Sequence, residues 1–259
     1  RVRRRRGAAD DLLDWTLPTQ VVSVSRRNAA AWGDLVDRVV PNGIDLGRWP
    51  MGAGERGDIV WAGRLVPEKA PHLAIDAARR AGRPILLTGP RHDAAYFDAE
   101  IAPRLGAAAD WVGHCRVEEL ASLLGGAAVA LVTPRWDEPF GLVVAEALAC
   151  GTPVAGLCRG ALPELVDDST GVLVADGDLD SLAAAIDAAA GLSRARCRDA
   201  AVRRFSAVAM TAAYVRCYDE LRGTRRATST ATATTRSAAR ASVTKWFDVD
   251  NVTTTTAAG

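Results

Sequence analysis

The chain alternates short apolar runs with longer amphipathic stretches from residue 57 to about residue 192. Runs rich in Val, Ile and Leu predict strands, and the stretches between them repeat apolar residues at the spacing of a helix. The predicted strands are DIVWAG (58–63), PILLTG (84–89), DWVG (110–113), AVALVTP (128–134), TPVAG (152–156) and GVLVA (171–175). The predicted helices are KAPHLAIDAARRAG (69–82), DAAYFDAEIAPRLG (93–106), VEELASLLGG (117–126), FGLVVAEALACG (140–151) and LDSLAAAIDAAAG (179–191).

This alternation predicts an α/β fold, a Rossmann-like doubly wound parallel sheet with helices on both faces. The predicted domain covers residues 41–204, and in such sheets ligands bind at the carboxyl ends of the strands. Residues 1–40 include the apolar run QVVSVS and are interpreted as the remnant of another domain with a connector. Residues 205–222 predict C-terminal helices. Residues 223–259 are rich in Thr, Ala, Ser and Arg without apolar periodicity, which predicts disorder.

Composition and charge exclude several classes of function. With 49% hydrophobic and 24% charged residues and a net charge of only +1, nothing favours nucleic acid as a partner. Five scattered cysteines without C-x-x-C spacing predict reduced thiols, and the three histidines lack partners at metal-ligand spacing. The Asp-Val-Asp triplet at 248–250 lies in the low-complexity tail, so no metal site is predicted there.

The chain also lacks targeting signals that would place it in a membrane. No apolar run reaches the roughly 18 residues that span a bilayer, and no signal peptide is visible. These features predict a cytoplasmic protein without a transmembrane segment, although peripheral contact with a membrane stays open. The first residue is Arg, not Met, so we expect the chain to be truncated or processed.

Two glutamates flank an aromatic-glycine step in DEPFGLVVAEALACG (137–151). Pro139 and Gly141 predict that the helix begins near Phe140 or Gly141, which leaves Glu138 in the preceding loop and Glu146 in the second turn. In one continuous helix the carboxylates would lie about 12 Å apart along the axis, too far for an acid–base pair. Taken alone, Glu146 is most simply an exposed helix charge. The start of the helix offers free backbone N–H groups to a polar or anionic ligand.

Two cations follow the first predicted strand. Arg64 comes directly after it, and Lys69 lies near the start of the following helix. Cations beside free helix N–H groups suit a diphosphate, whereas the alternative is an exposed loop with an ordinary charge pair. Glu138 follows the fourth strand, and Gly160 and Glu164 follow the fifth, so all three segments are predicted at one edge of the sheet.

The segments GRLVPEKA (63–70), EPFGLVVAEALACGTPVA (138–155) and RGALPELVDDSTGVLV (159–174) resemble the nucleotide-sugar domain of the retaining glycosyltransferases of family 4, which have the two-domain GT-B fold. The resemblance runs from about residue 20 to residue 221. It implies that this chain is mainly the C-terminal half and that the N-terminal domain is largely missing. That domain would supply a glycine-rich loop, a histidine and most of the acceptor pocket. The resemblance also implies that no metal cofactor is needed.

The resemblance assigns roles to particular residues. Arg64 and Lys69 would neutralise the departing diphosphate, Glu138 would accept hydrogen bonds from the sugar hydroxyls, and Glu146 would hold the ribose. The implied catalytic set consists of Arg64, Lys69 and Glu138. The implied donor-binding set is Gly63, Gly89, Gly113, His114, Cys115, Phe140, Gly141, Leu142, Val143 and Glu146.

The sequence departs from the family pattern at two places. Ala70 stands where the family usually has Gly after the Lys, and Cys158-Arg159-Gly160-Ala161 replaces the commoner paired glycines before the Pro-Glu step. The leading hypothesis is a hexosyltransferase that uses a nucleotide sugar such as a UDP- or GDP-hexose and retains the anomeric configuration. The alternative is a non-catalytic nucleotide-sugar-binding fragment. The base, the acceptor and the oligomeric state are left open by the sequence.

Overall fold

The computed structural model of the chain describes residues 20–175 and 178–228. About half of the predicted N-terminal remnant (residues 1–19) lies outside these residues, as does most of the C-terminal tail (residues 229–259), with the Asp-Val-Asp triplet. One compact unit comprises Thr19–Tyr218, and the described part of the second unit is Asp219–Thr228. The boundaries predicted for the domains therefore stay predictions.

The described strands form two parallel sheets. A small sheet pairs β1 (Val22–Ser23) with β2 (Arg38–Val39), so two residues of the apolar run at residues 20–25 form a strand. The main sheet has six strands: β3 (Ile59–Ala62), β4 (Ile85–Thr88), β5 (Ala109–Trp111), β6 (Val129–Val132), β7 (Val154–Leu157) and β8 (Gly171–Val174). All six runs predicted between residues 57 and 192 are confirmed.

The order of the main sheet is β5-β4-β3-β6-β7-β8, and every neighbouring pair is parallel. Counted along the chain this is the order 3-2-1-4-5-6 of dinucleotide-binding folds. The predicted Rossmann-like doubly wound sheet is confirmed. The order reverses between β3 and β6, so the loops that follow these two strands flank the crevice in which such folds bind ligands.

The helices of the described residues follow the strands. They are α1 (Arg26–Trp32), α2 (Pro71–Arg80), α3 (Ala94–Tyr96), α4 (Val117–Gly126), α5 (Leu142–Ala149), α6 (Leu162–Leu165), α7 (Leu179–Ala190), α8 (Arg194–Arg204) and α9 (Ala207–Thr228). The helix predicted over 93–106 is broken into α3, a π-helical turn (Phe97–Ile101) and a 3-10 turn (Ala102–Arg104). Pro103 explains the final break, because proline cannot donate a helical hydrogen bond and its ring crowds the preceding turn.

The sheet is buried on both faces, as a doubly wound sheet requires. Along β3, Ile59 and Trp61 face one core with helices α2 and α7, while Val60 faces the other core with α4, α5 and α8. The side chains of these three strand residues are at most 2% exposed. The loops at the ends of the strands are therefore the places where polar side chains can meet solvent.

Helix α8 is held by arginine side chains and was not among the predicted elements. The Arg194 guanidinium donates to the carbonyls of Gly52, Gly125, Ala127 and Cys150 and to the Thr152 hydroxyl, at 2.7–3.2 Å. These acceptors include the ends of helices α4 and α5, where the helix dipole favours a cation. Burial lowers the pKa of Arg194 from its ordinary value. Arg194 therefore fixes the C-terminal end of α5, the helix that carries Glu146.

We expect the substitution Arg194→Met to lower the free energy of unfolding by about 2–4 kcal/mol, because it leaves buried carbonyls without donors. Urea denaturation measures this loss. The matched control is Arg196→Met on the same helix, since the Arg196 side chain is exposed, and a change within about 0.5 kcal/mol is expected for it. Equal losses for the two variants would contradict the anchoring role of Arg194.

Candidate functional site

The loops after β3 and β6 are tied together by one buried threonine. The Trp61 indole N–H on β3 donates to Thr133 Oγ1 at 3.1 Å. The same hydroxyl lies 3.1 Å from the Lys69 carbonyl oxygen and 3.0 Å from that of Ala70. Thr133 follows β6, so this bond holds the turn that carries Lys69 against the loop that carries Glu138. The two segments that the sequence placed at one edge of the sheet do meet there.

Lys69 and Glu138 form an ion pair in this structure. Their side chains are 24% and 13% exposed, so the pair is largely shielded from solvent. The Trp136 indole N–H donates to the same carboxylate oxygen, Glu138 Oε2, at 3.1 Å. Lys69 Nζ also lies 5.4 Å from the centre of the Trp136 ring, within the range of a cation–π contact. A cation expected to meet phosphate and a carboxylate expected to meet sugar thus stand side by side.

The backbone of Glu138 is fixed by the loop after β7. The Ala161 N–H donates to the Glu138 carbonyl at 2.9 Å. Gly160 has φ 58°, and a Cβ at this position would lie 2.3 Å from the Glu138 nitrogen. Only glycine permits this approach. The segment Cys158-Arg159-Gly160-Ala161, which departs from the family's paired glycines, therefore still has a glycine at the position where this close contact requires one.

Glu164 has a structural partner at the same edge. Its carboxylate accepts from the backbone N–H groups of Arg26 and Arg27 at 2.9 and 2.6 Å. These groups begin helix α1, where a negative charge is favourable. Arg27 also pairs with Asp137 at 2.8 Å, although both side chains are more than half exposed. An open cavity of about 940 Å³ lies between α1 and the loop after β7.

Arg64 is half-exposed and lies 3.9 Å from Glu68, four residues along the chain. An exposed ion pair at this distance contributes little to stability. The present contact of Arg64 with Glu68 is therefore the ordinary charge pair that the sequence left open as an alternative, and this contact is weak. Arg64 can exchange it for an anionic ligand at small cost.

Ala70 adopts a left-handed backbone conformation with φ 47° and is fully buried. Among the described residues it is the one non-glycine residue with positive φ. This conformation costs an L-residue about 1–2 kcal/mol, which gives a physical reason for the glycine that the family pattern has after the Lys. The strain is located directly beside Lys69.

Helix α5 begins as predicted, with Glu138 before it and Glu146 in its second turn. Gly141 is its N-cap with φ 92°, and the Phe140 ring is buried edge-on against Phe205 with centroids 6.0 Å apart. No acceptor among the described residues pairs with the four backbone N–H groups at this start, which are those of Phe140, Gly141, Leu142 and Val143. Unpaired N–H groups at a helix start form a site for an anionic or polar group.

Glu146 is half-buried on α5, so the simple interpretation as an exposed helix charge is wrong. Its carboxylate has no hydrogen-bond or ion-pair partner within the described part of the chain. Burial raises its pKa to about 7. A shielded carboxylate without a donor is unfavourable for folding, because desolvation is not compensated.

Three glycines stand next to one another at the ends of adjacent strands. Gly63 donates to the Thr88 carbonyl at 3.0 Å, and Gly89 donates to that of Gly113 at 2.8 Å. Gly89 has φ 139°, and a Cβ there would lie 1.8 Å from the Gly63 oxygen. Close packing of the strand ends is therefore one reason why a glycine is required at position 89, independently of any contact with a ligand.

The remaining donor-binding candidates follow β5. His114 is exposed, and Cys115 is half-buried. Cys115 borders a groove of about 490 Å³ that also touches Val112 and Leu123. The structure thus brings all of the candidate residues to the carboxyl edge of the sheet, while their individual roles stay predictions.

Sequence reasoning missed Trp136 and Thr133, which hold Glu138 and Lys69 in place. The sequence offered only a weak signal for either residue. Trp136 is an aromatic residue two positions before a glutamate at a strand end, and Thr133 directly follows the fourth strand. Within the described residues no group of three His, Cys, Asp or Glu side chains could hold a metal ion. No helix in this part of the chain is long and apolar enough to cross a membrane.

The raised pKa of Glu146 predicts a pH-dependent stability. The folded state binds its proton more tightly than the unfolded state, whose value is about 4.5, so stability should fall as pH rises from 4.5 to 7. We expect Glu146→Gln to stabilise the protein by about 1–3 kcal/mol at pH 8 and to have little effect at pH 4.5. Urea denaturation across this range measures the difference. The control Glu55→Gln alters an exposed carboxylate and should show no such gain.

Comparisons with known proteins agree with the geometry. The sequence model of the family "Glycosyl transferases group 1" matches residues 52–203. The glycogen synthase of Mycobacterium tuberculosis (strain CDC 1551 / Oshkosh) is 37% identical over 174 residues, which cover 61% of this chain and 42% of that protein. The chain therefore spans about two fifths of the length of this relative.

Two solved structures share the fold. The structure of AviGT4, a glycosyltransferase involved in Avilamycin A biosynthesis, is 31% identical with a TM-score of 0.68, over 77% of this chain and 63% of that one. Anabaena HepE in complex with UDP-glucose is 22% identical with a TM-score of 0.67, over 78% and 64% of the two chains, which shows the fold alone. From the match over residues 52–203 and the strand order of the sheet, the chain belongs to the group 1 glycosyl transferases and has an α/β domain of their GT-B fold.

Proposed function

We propose that this chain carries the donor-binding half of a retaining hexosyltransferase, which transfers a hexose from a nucleoside diphosphate to an acceptor. The observation that carries the proposal is the Glu146 carboxylate, half-buried and without a donor among the described residues. It lies about one turn beyond the four unpaired N–H groups at the start of α5, two of which belong to Phe140 and Gly141 just before the helix. A ribose supplies two hydroxyl donors, and a diphosphate supplies acceptors for the N–H groups.

The rest of the donor fits along the carboxyl edge of the sheet. Lys69 and Arg64, on the loop after β3, would face the diphosphate. Glu138 would accept hydrogen bonds from the hexose hydroxyls in place of its present bond to Lys69. The nucleobase would lie along Gly113, His114 and Cys115, beyond the ribose. In this arrangement Glu138 and Glu146 contact opposite ends of one ligand.

The chemistry that these residues favour is cleavage of the bond between the anomeric carbon and the diphosphate oxygen. Negative charge then develops on the diphosphate, where Lys69, Arg64 and the start of α5 stabilise it. Positive charge develops on the sugar near the Glu138 carboxylate. The acceptor hydroxyl forms the new bond from the face that the diphosphate leaves, and its proton passes to the departing phosphate oxygen. This order of events retains the anomeric configuration and requires no metal from the protein.

The comparisons support this proposal at the level of the fold. A protein with the same fold has been solved with UDP-glucose, so the fold accommodates a nucleotide sugar. Relatives of this chain include a glycogen synthase and a protein of avilamycin biosynthesis, which indicates that the acceptor varies within the family. The UDP-glucose complex supports a UDP-hexose as a candidate donor. A GDP-hexose stays a candidate from the sequence resemblance alone, and no acceptor is proposed.

The second candidate is a non-catalytic fragment that binds a nucleotide sugar. It requires only the candidate donor-binding groups at the carboxyl edge of the sheet, which lie within the described residues. The two candidates differ in one outcome. Release of the nucleoside diphosphate with formation of a glycoside would support the transferase, whereas binding without turnover would support the fragment.

Lys69→Ala should weaken binding of the preferred UDP- or GDP-hexose by about 10- to 100-fold, because the diphosphate loses a charge-assisted hydrogen bond. Isothermal titration calorimetry with both donors measures this change. Arg79→Ala is the matched control, since Arg79 lies at the opposite end of α2 and is exposed. Failure of both donors to bind the unmodified chain, or unchanged affinity in Lys69→Ala, would refute the proposed site.

A further inference from the structure

Trp136 lies against the carboxylate that the proposed donor needs. Its backbone carbonyl accepts from the Glu138 N–H at 2.9 Å, which closes a tight turn between the two residues. Its indole N–H donates to Glu138 Oε2 at 3.1 Å. The ring is 37% exposed, so it is not simply a core side chain.

The two oxygens of the Glu138 carboxylate differ in their surroundings. Oε2 accepts from both Lys69 and Trp136. Within the described residues no donor is paired with Oε1. Two donors saturate the lone pairs of Oε2, so Oε1 is the oxygen that can accept from a ligand.

A bound donor would change the hydrogen bonds that Glu138 Oε2 accepts. Lys69 is the cation placed to meet the diphosphate, and its move to a phosphate oxygen removes one of the two donors from Oε2. Trp136 is then the remaining described donor on the carboxylate. The Glu138 backbone stays fixed by Ala161 and Gly160, and the Pro139 carbonyl accepts from Ser25 Oγ at 2.6 Å. Because the backbone of Glu138 is already fixed, the hydrogen bond from Trp136 can restrain only the torsions of the Glu138 side chain.

We propose that Trp136 is a positioning residue that holds Glu138 Oε2 through its indole N–H, so that Oε1 faces the hydroxyls of the donor hexose. This inference rests on the proposed function. It assigns Trp136 to recognition of the sugar and not of the nucleotide. An orienting hydrogen bond matters here because a free glutamate side chain would lose rotamer freedom when it meets the sugar.

The test compares each nucleotide sugar with its bare nucleotide: UDP-glucose with UDP, and GDP-mannose with GDP. Calorimetry on the unmodified chain selects the pair that binds, and the ratio of the two affinities reports the contribution of the sugar. Trp136→Phe keeps an aromatic ring and removes the N–H donor. It should reduce this ratio about three- to tenfold and leave the affinity for the bare nucleotide unchanged.

The control Trp111→Phe removes a different indole hydrogen bond, which runs to the Gly89 carbonyl at 3.1 Å, and should leave the ratio unchanged. Trp136→His retains a ring N–H and should lose less than Trp136→Phe. Thermal unfolding establishes that each variant is folded, as the exposure of Trp136 leads us to expect.

The outcomes separate the two proposals. An unchanged ratio in Trp136→Phe, or equal losses in the Phe and His variants, overturns the positioning role alone. Absence of any nucleotide binding by the unmodified chain overturns the proposed function and this inference with it.

Discussion

The half-buried carboxylate of Glu146 is the constraint around which the other parts of the site are arranged. Burial without a donor destabilises the ionised form and raises the pKa to about 7. Folding must therefore hold helix α5 in place by other contacts. The buried Phe140 ring against Phe205 fixes its start, and the Arg194 guanidinium fixes its end. These contacts keep an unfavourable charge in a defined position, which is a common property of binding sites.

The second feature of the site is that three loops determine the position of one glutamate. Thr133 joins the loops after β3 and β6, and Gly160 lets the loop after β7 approach the Glu138 backbone. Because these strands are neighbours at the point where the strand order reverses, their loops face the same crevice. The strained backbone of Ala70 lies beside Lys69 in this region. Preorganisation of the charged groups thus comes from packing of loops, not from the sequence of any one of them.

Much of the fold could be predicted because its determinants are local. The six strand runs and the start of α5 follow from apolar patterning and from Pro139 and Gly141. Helix α8 escaped prediction because its anchoring group is the Arg194 guanidinium, whose acceptors lie 42 to 142 residues away in the sequence. The burial of Glu146 had a local signal in the sequence, because its neighbours Ala145, Ala147 and Leu148 are apolar. The structure buries all three fully. A charged residue within such an apolar helix is itself an indication of a ligand.

The residues proposed to meet a ligand were suggested by resemblance, whereas their mutual contacts required coordinates. The Lys69–Glu138 pair joins positions 69 residues apart, and the Trp136 bond to Oε2 depends on side-chain orientation. Neither is encoded in spacing along the chain. The structure changes the view of the two glutamates accordingly: Glu138 already has protein donors, and Glu146 is the carboxylate for which no described donor exists.

The most direct test of this account is to titrate the Glu146 carboxylate by carbon-13 NMR in the absence and presence of the nucleoside diphosphate that binds, UDP or GDP. The account predicts a pKa of about 7 for the protein alone. It predicts that this pKa falls by at least about one when the ribose hydroxyls donate to the ionised carboxylate, because hydrogen bonds favour the charged form. An unchanged pKa at saturating nucleotide would contradict the assignment of Glu146 to the ribose.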